Sequence, residues 1–221
     1  MSRALVIFSG GQDSTTCLGW ALKSFDEVEA ITFGYGQKHS VEQECAATIC
    51  QQMGVKQAQV DMGFLPELVE SALTSGGDVT EKHRDRPELP ASFVPNRNAL
   101  FLTLAHAYAQ KIGAEVIVTG VCETDYSGYP DCRQDFIDQI QKTLNMGSDS
   151  AIVIETPLMY KNKAQVWALA EEVGVYKQVL DDSHTCYNGS RETNPWGAGC
   201  GECPACKLRA KGWHDYMGEL G

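Results

Sequence analysis

The run Ser9-Gly10-Gly11-Gln12-Asp13-Ser14 stands between an apolar stretch, Ala4 to Phe8, and a segment of helix-forming residues, Thr15 to Lys23. A short apolar run closed by glycines reads as a buried strand, and a segment that opens on hydroxyl residues reads as a helix start. Strand, Gly-Gly turn and helix N-terminus in that order gather backbone N–H groups and the positive end of a helix dipole at one point. Glycines let the main chain approach an anion because no Cβ stands in the way. Ser9 and Ser14 add hydroxyl donors, and the Asp13 carboxylate can hold a magnesium ion on the same phosphates. The segment therefore predicts a polyphosphate site at the end of the first strand.

The rest of the chain extends that rhythm. Residues 28–33 and 57–61 read as strands around a helix over 40–53, and 115–119 and 152–155 as two more strands. Helices are expected over 96–112, 133–145 and 161–173. Strands alternating with helices predict an α/β chain, a Rossmann-like doubly wound parallel sheet. No linker or repeat divides it, so residues 1–221 are expected to form a single domain. The segment 74–95, with Gly76-Gly77 and three prolines, breaks the rhythm and reads as a mobile loop over the site or a surface insertion.

Ligands of open parallel sheets bind outside the carboxyl ends of the strands. Polar clusters lie there at 9–14, 35–39, 121–133 and 156–163, with Pro95-Asn96-Arg97-Asn98 opening a helix beside them. Their convergence predicts one pocket.

Nine cysteines in a chain with cytoplasmic character are not a disulfide framework, and their number is odd. Cys186, Cys200, Cys203 and Cys206 form a C-x13-C-x2-C-x2-C pattern within a C-terminal segment, residues 184–221. Four thiolates suit a tetrahedral structural Zn²⁺, an iron–sulfur cluster being the other ion site that four thiolates satisfy. With all four positions filled, such a metal folds the segment and performs no chemistry. Lys207, Arg209 and Lys211 follow and offset its negative charge. Cys17, Cys45, Cys50, Cys122 and Cys132 lack this spacing and read as small core residues. His106 and His214 read as structural or exposed.

A net charge of −11 argues against a broad nucleic-acid surface and favours a small-molecule substrate. No leader-like segment stands before the first strand, and no apolar run approaches the roughly 18 residues of a membrane span. A cytoplasmic protein without a membrane partner is the expectation.

The SGGxDS pattern resembles the signature of the ATP pyrophosphatases, and no G-x-x-x-x-G-K-[ST] loop occurs in the chain. An ordinary turn of small residues would carry similar letters, but its place after the first strand favours the nucleotide site. Within that group the chain is similar to the 7-cyano-7-deazaguanine synthase (QueC) family over almost its whole length. The likeness rests on FSGGQDSTTCL at 8–18, FGYGQKH at 33–39, FVPNRN at 93–98, ETDYSGYPDCR at 123–133, TPLMYKNKAQVWALA at 156–170, and CYNG with the cysteine triplet at 186–206. Two positions depart from the family pattern: His184-Thr185 stands in place of Trp-Ser, and Asn162 in place of Thr.

The resemblance implies ATP and Mg²⁺, one structural Zn²⁺ per chain on Cys186, Cys200, Cys203 and Cys206, and a homodimer. It also implies a reaction of queuosine biosynthesis: 7-carboxy-7-deazaguanine, ammonium and ATP give the nitrile by carboxylate adenylation, amide formation and dehydration. ATP would then lie on Phe8, Ser9, Gly10, Gly11, Gln12, Asp13, Ser14, Thr15, Thr16, Cys17 and Leu18. Asp13, Ser14, Lys163, Lys38 and Arg97 are the expected catalytic groups, the cations serving charge on the α-phosphate; each cation also reads as a solvated surface charge. Tyr126 and Tyr129 can stack on the base, and Glu123, Asp125 or Asp131 can accept its N–H groups. The rival reading of that stretch is a turn whose tyrosines pack on the core.

Overall fold

The computed structural model describes residues 1–35, 41–69, 71, 88–124 and 129–219. Lys38, Asp125, Tyr126 and most of the 74–95 segment lie outside the described residues.

Five parallel strands form one sheet: β1 (Arg3–Ile7), β2 (Glu27–Gly34), β3 (Lys56–Asp61), β4 (Val116–Val118) and β5 (Val153–Glu155). Their spatial order is β3-β2-β1-β4-β5. β1 pairs with β2 from Arg3↔Glu27 to Ile7↔Ile31 and with β4 from Ala4↔Val116 to Val6↔Val118. The chain moves outward on one side of β1 and then returns to build the other. The gap between the ends of β1 and β4 is therefore the switch point where such sheets take ligands.

Alternation along the strands feeds two cores. Ala4, Val6, Ala30 and Val118 face helices α1 (Gln12–Ser24), α2 (Val41–Met53), α6 (Lys163–Glu172) and α7 (Pro204–Glu219), around a fully buried Trp167. Leu5, Ile31, Phe33, Ile117 and Ile154 face α4 (Arg97–Ile112) and α5 (Gln134–Ser148) on the opposite side. Short α3 (Leu65–Leu68) lies after β3. Sheets covered on both faces need apolar residues at every strand position, as β1 has in Ala4-Leu5-Val6.

The elements expected from the sequence are present, with shifted ends. α1 begins at Gln12 rather than Thr15, so Gln12, Asp13 and Ser14 occupy its first turn instead of the loop. α5 runs on to Ser148. The sequence reading gave no helix to the C-terminus, whereas α7 spans Pro204–Glu219 and packs on α6. A two-stranded hairpin, β6 (Thr193–Asn194) with β7 (Gly197–Ala198), joins the cysteine loops. His106 is buried between Asn145 and Gln110, and His214 is exposed.

Candidate active site

β1 ends at Ile7, and the chain must reverse at once to start α1. Gly10 makes that reversal at φ +83°, where a Cβ would lie 2.5 Å from the Glu42 carbonyl oxygen and 2.6 Å from the Ala46 nitrogen. Only glycine fits there, for both strain and space. Ser14 Oγ ties the loop to itself, lying 3.2 Å from Ser9 N, 3.1 Å from Ser9 Oγ and 3.2 Å from Gly11 O. Gly120, just beyond β4, lets the main chain pass close to α1: a Cβ there would sit 3.3 Å from Asp13 and 3.4 Å from Ser14 N. The first-turn N–H groups of α1 have no acceptors within the helix, which makes this corner an anion site.

Lys163 reaches the corner from α6, its Nζ 2.9 and 2.7 Å from the two Asp13 carboxylate oxygens. Asn162 caps α6 in a capping box, accepting from Gln165 N while Gln165 Oε1 accepts from Asn162 N, both at 2.9 Å. Asparagine in place of threonine keeps an N-cap of full quality, so Lys163 keeps its aim. On its other side a Cβ at Gly212 of α7 would collide with Lys163, so the two helices meet there backbone against side chain.

The C-terminal segment closes the loop from above. His184 N donates to Gly10 O at 3.0 Å, and Gln12 N donates to Thr185 Oγ1 at 3.3 Å. Thr185 retains the hydroxyl that a serine would have offered. Behind it lies Arg209, 1% exposed, which donates to Thr185 Oγ1 (3.1 Å), Ser183 Oγ (3.0 Å), Trp196 O (2.9 Å) and Val179 O (2.6 Å). Burial pulls its guanidinium down to about 10, against the raising effect of Cys206 and Asp13, and it stays charged at neutral pH. Of the three basic residues expected to offset the cysteine charge, Lys207 and Lys211 are exposed and Arg209 is built into the core.

Cys186, Cys200, Cys203 and Cys206 bring four sulfurs within 4.8 Å of one another, Cys200 and Cys206 being 4.0 Å apart. Sulfurs at tetrahedral corners about 2.3 Å from one ion lie about 3.8 Å apart, so the set fits such an ion. Cys203 N and Cys206 N donate to the Cys200 and Cys203 sulfurs at 3.4 Å, favouring thiolates. A hydrogen bond from the Cys206 thiol is the main cause holding Cys203 below the ordinary thiol range.

These elements enclose a cavity of about 440 Å³ at the switch point. Phe8, Ser9, Gln12, Asp13, Ser14, Lys163, Arg97 and Tyr129 line it, as the sequence reading expected of them. Thr15, Thr16, Cys17 and Leu18 do not; they are buried inside α1, with the two threonine hydroxyls back-bonded to Gly11 O and Gln12 O. Gly10 and Gly11 shape the corner without forming its wall. Glu123 is turned away, accepting the Gln134 N–H at 2.8 Å as a cap for α5. Asp131 is buried and accepts from Asn98 N at 3.1 Å, so it anchors α4. Of the polar cluster at 156–163, Lys163 lines the cavity, while Thr156, Tyr160 and Lys161 border a separate shallow depression.

The wall also holds Tyr35, from the polar cluster expected at 35–39, and residues to which the sequence reading gave no part in the pocket: Glu42, His184, Thr185, Tyr187 and Arg209. Arg97 lies 5.7 Å from the ring centres of both Tyr35 and Tyr129, with a Tyr35 hydroxyl 3.4 Å from Nη1. Burial opposes its charge, but Tyr35, Tyr129 and Asp131 outweigh that and raise its pKa. Burial lifts the Glu42 carboxyl to about 7 against the pull of Arg97.

A doubly wound parallel sheet with an anion corner at its switch point and a four-cysteine cluster able to hold a metal ion defines an α/β protein of the nucleotide-handling kind. The family model "Queuosine biosynthesis protein QueC" matches residues 3–217. This chain belongs to the QueC family. It is 58% identical over 222 residues to a 7-cyano-7-deazaguanine synthase of Wolinella succinogenes, covering 99% of this chain and 95% of that one. A 7-cyano-7-deazaguanine synthase of Bacillus subtilis is 51% identical, over 97% and 95% of the two chains. Among solved structures, a 4-thiouridine synthetase–RNA complex with bound ATP shares the fold at TM-score 0.53 and 16% identity, over 98% of this chain. This chain spans half of that longer one. An NMN synthetase from Francisella tularensis aligns at TM-score 0.50 and 17% identity, over 80% of this chain and 63% of its own.

Proposed function

We propose that this protein converts 7-carboxy-7-deazaguanine and ammonia to 7-cyano-7-deazaguanine at the expense of two ATP. The observation that carries the reading is the shared wall: the anion corner of Gly10, Asp13 and Lys163 opens into the same cavity as the aromatic side chains around Arg97. A polyphosphate and a flat acid therefore meet in one space.

The chemistry asks for that arrangement. A carboxylate is a poor electrophile because oxide must leave. Attack of its oxygen on the α-phosphorus gives an acyl adenylate and pyrophosphate. Ammonia then displaces AMP and leaves the amide. In the second round the amide oxygen takes AMP, loss of protons from nitrogen forms the C≡N bond, and the oxygen departs with AMP. Both rounds build charge on the α-phosphate, which preorganised cations and N–H groups stabilise. Lys163, Arg97 and the first turn of α1 supply them, with Lys38 as a further cation; Ser14 holds the loop in shape. Asp13 would hold Mg²⁺ on the phosphates once Lys163 turns toward them, the metal adding charge neutralisation there. Zn²⁺ fits the four cysteines as a structural ion, its role being to fix residues 184–187 over the loop. Tyr126 and Asp125, beside Tyr129 in the chain, belong with the base-binding side.

We further read residues 1–221 as one domain, a homodimer of the cytoplasm that binds no nucleic acid directly; the family resemblance and acidic charge support this. No helix among the described residues is long and apolar enough to cross a membrane. The deciding experiment is incubation with ATP, ammonium and 7-carboxy-7-deazaguanine, with the product weighed by mass spectrometry. Nitrile with AMP and pyrophosphate is the expected outcome, and ADP with orthophosphate would reject the mechanism.

A further inference from the structure

Four polar side chains in the cavity wall have unmet bonding capacity, His184 through its Nδ1 among them. Gln12 is 1% exposed, and neither its amide nitrogen nor its amide oxygen has a partner. Arg97 Nε is likewise buried and unbonded. The Glu42 carboxylate, on the first turn of α2, lines the cavity and receives no hydrogen bond from any described residue. A buried polar atom without a partner costs free energy, so the Gln12 and Arg97 atoms, gathered at one wall beside the half-buried Glu42, point to a ligand that satisfies them.

The surroundings narrow its chemistry. Tyr35, Tyr129 and Tyr187 line the cavity with Arg97 and Glu42, and the Tyr129 hydroxyl lies 2.6 Å from Ser92 Oγ. Rings at this density suit a planar heterocycle. A carboxylate has two acceptor oxygens side by side and no donor. It pairs with two N–H groups on one edge of a base, as in the ring lactam N–H beside the exocyclic amine of a guanine-type base. An adenine edge sets a lone pair beside its amine, and that lone pair repels a carboxylate.

We propose that Glu42 is a specificity-determining residue of this site, accepting the paired N–H groups of a guanine-type edge on the heterocyclic acid, with Arg97 as its counter-charge. This rests on the reaction proposed above. It moves base recognition from Glu123 and Asp131, which are spent on capping α5 and anchoring α4, to the first turn of α2.

The test is steady-state pyrophosphate release, with calorimetric binding of the heterocycle, for the full-length protein, Glu42→Gln and Glu42→Asp. Two substrates are compared: 7-carboxy-7-deazaguanine and its analogue lacking the exocyclic amine. Wild type should prefer the parent by about 100-fold, because loss of a donor leaves an acceptor in the cavity wall unpaired. Glu42→Gln should weaken binding of the parent by a similar factor, erase the preference, and leave the KM for ATP within about twofold. Glu42→Asp keeps both acceptors at shorter reach and should retain the preference with weaker binding. A raised KM for ATP with unchanged heterocycle binding would hand Glu42 to the nucleotide and overturn the inference. Retained discrimination in a folded Glu42→Gln protein would overturn it too. If wild type binds neither heterocycle, the proposed reaction itself fails, and this inference falls with it.

Discussion

Lys163 Nζ lies 2.7 Å from Oδ2 and 2.9 Å from Oδ1 of Asp13, a pair drawn from positions 150 residues apart. Lys163 is the more enclosed partner, with 11% of its side chain exposed against 33% for Asp13. In Lys163→Ala the carboxylate would face an incoming polyphosphate without this cation. Pyrophosphate release should fall by about 100-fold or more while the circular dichroism spectrum stays unchanged. Turnover at the native rate would remove Lys163 from the reaction.

Gly10→Ala tests the corner itself. The new methyl would meet α2 backbone at 2.5 and 2.6 Å from a residue held at φ +83°. Strain in the left-handed region alone costs about 1–2 kcal/mol, and the displaced helix adds to it. The urea midpoint should drop accordingly; an unshifted midpoint would mean the loop can relax at no cost.

Cys203→Ser should lower the zinc-to-protein ratio and the melting temperature together. Losing about 3 kcal/mol in a chain of this size corresponds to roughly 10 °C. An unaltered ratio by plasma emission would exclude Cys203 from the ligand set.

Arg209→Met keeps an unbranched stem but deletes the guanidinium and its donors. Val179 O, Trp196 O and the Ser183 and Thr185 hydroxyls would lose that donor in a dry interior. A loss of about 3 kcal/mol or more is expected in chemical denaturation. A neutral outcome would show that water enters behind Thr185.

Glu42 gives the empty protein a pH signature. Its carboxyl titrates at about 7 in the folded state against an ordinary 4.5, with Arg97 opposing the effect of burial. Ionising it in the fold is thus unfavourable: the penalty is absent below the lower value, grows between the two, and is complete above the higher one. Glu42→Gln removes it, so the variant's melting temperature should gain on wild type progressively between pH 5 and pH 8. A constant difference across that range would contradict the assignment.

Much of this was readable from the letters, because glycines, strand runs and cysteine spacing act over short distances. Ser9 to Ser14 and the four cysteines each carry their meaning within a few residues. What escaped depends on long-range contacts. Arg209 reads as one of three basic residues in a polar tail, and only the docking of α7 on α6 buries it. Glu42 reads as an acidic residue favouring a helix N-terminus, with nothing local to show the cavity beside it. Glu123 and Asp131 read as ligand acceptors, yet backbone N–H groups at the starts of α5 and α4 claim them first. The opening of α7, with Cys203-Pro204-Ala205-Cys206, has the letters of a turn, and its helix continues through packing.

The bond from His184 N to Gly10 O joins the first corner of the chain to one of its last segments. A contact of such sequence separation costs loop-closure entropy before it contributes, so the glycine corner is expected to reach its final shape only once the segment around His184 has docked.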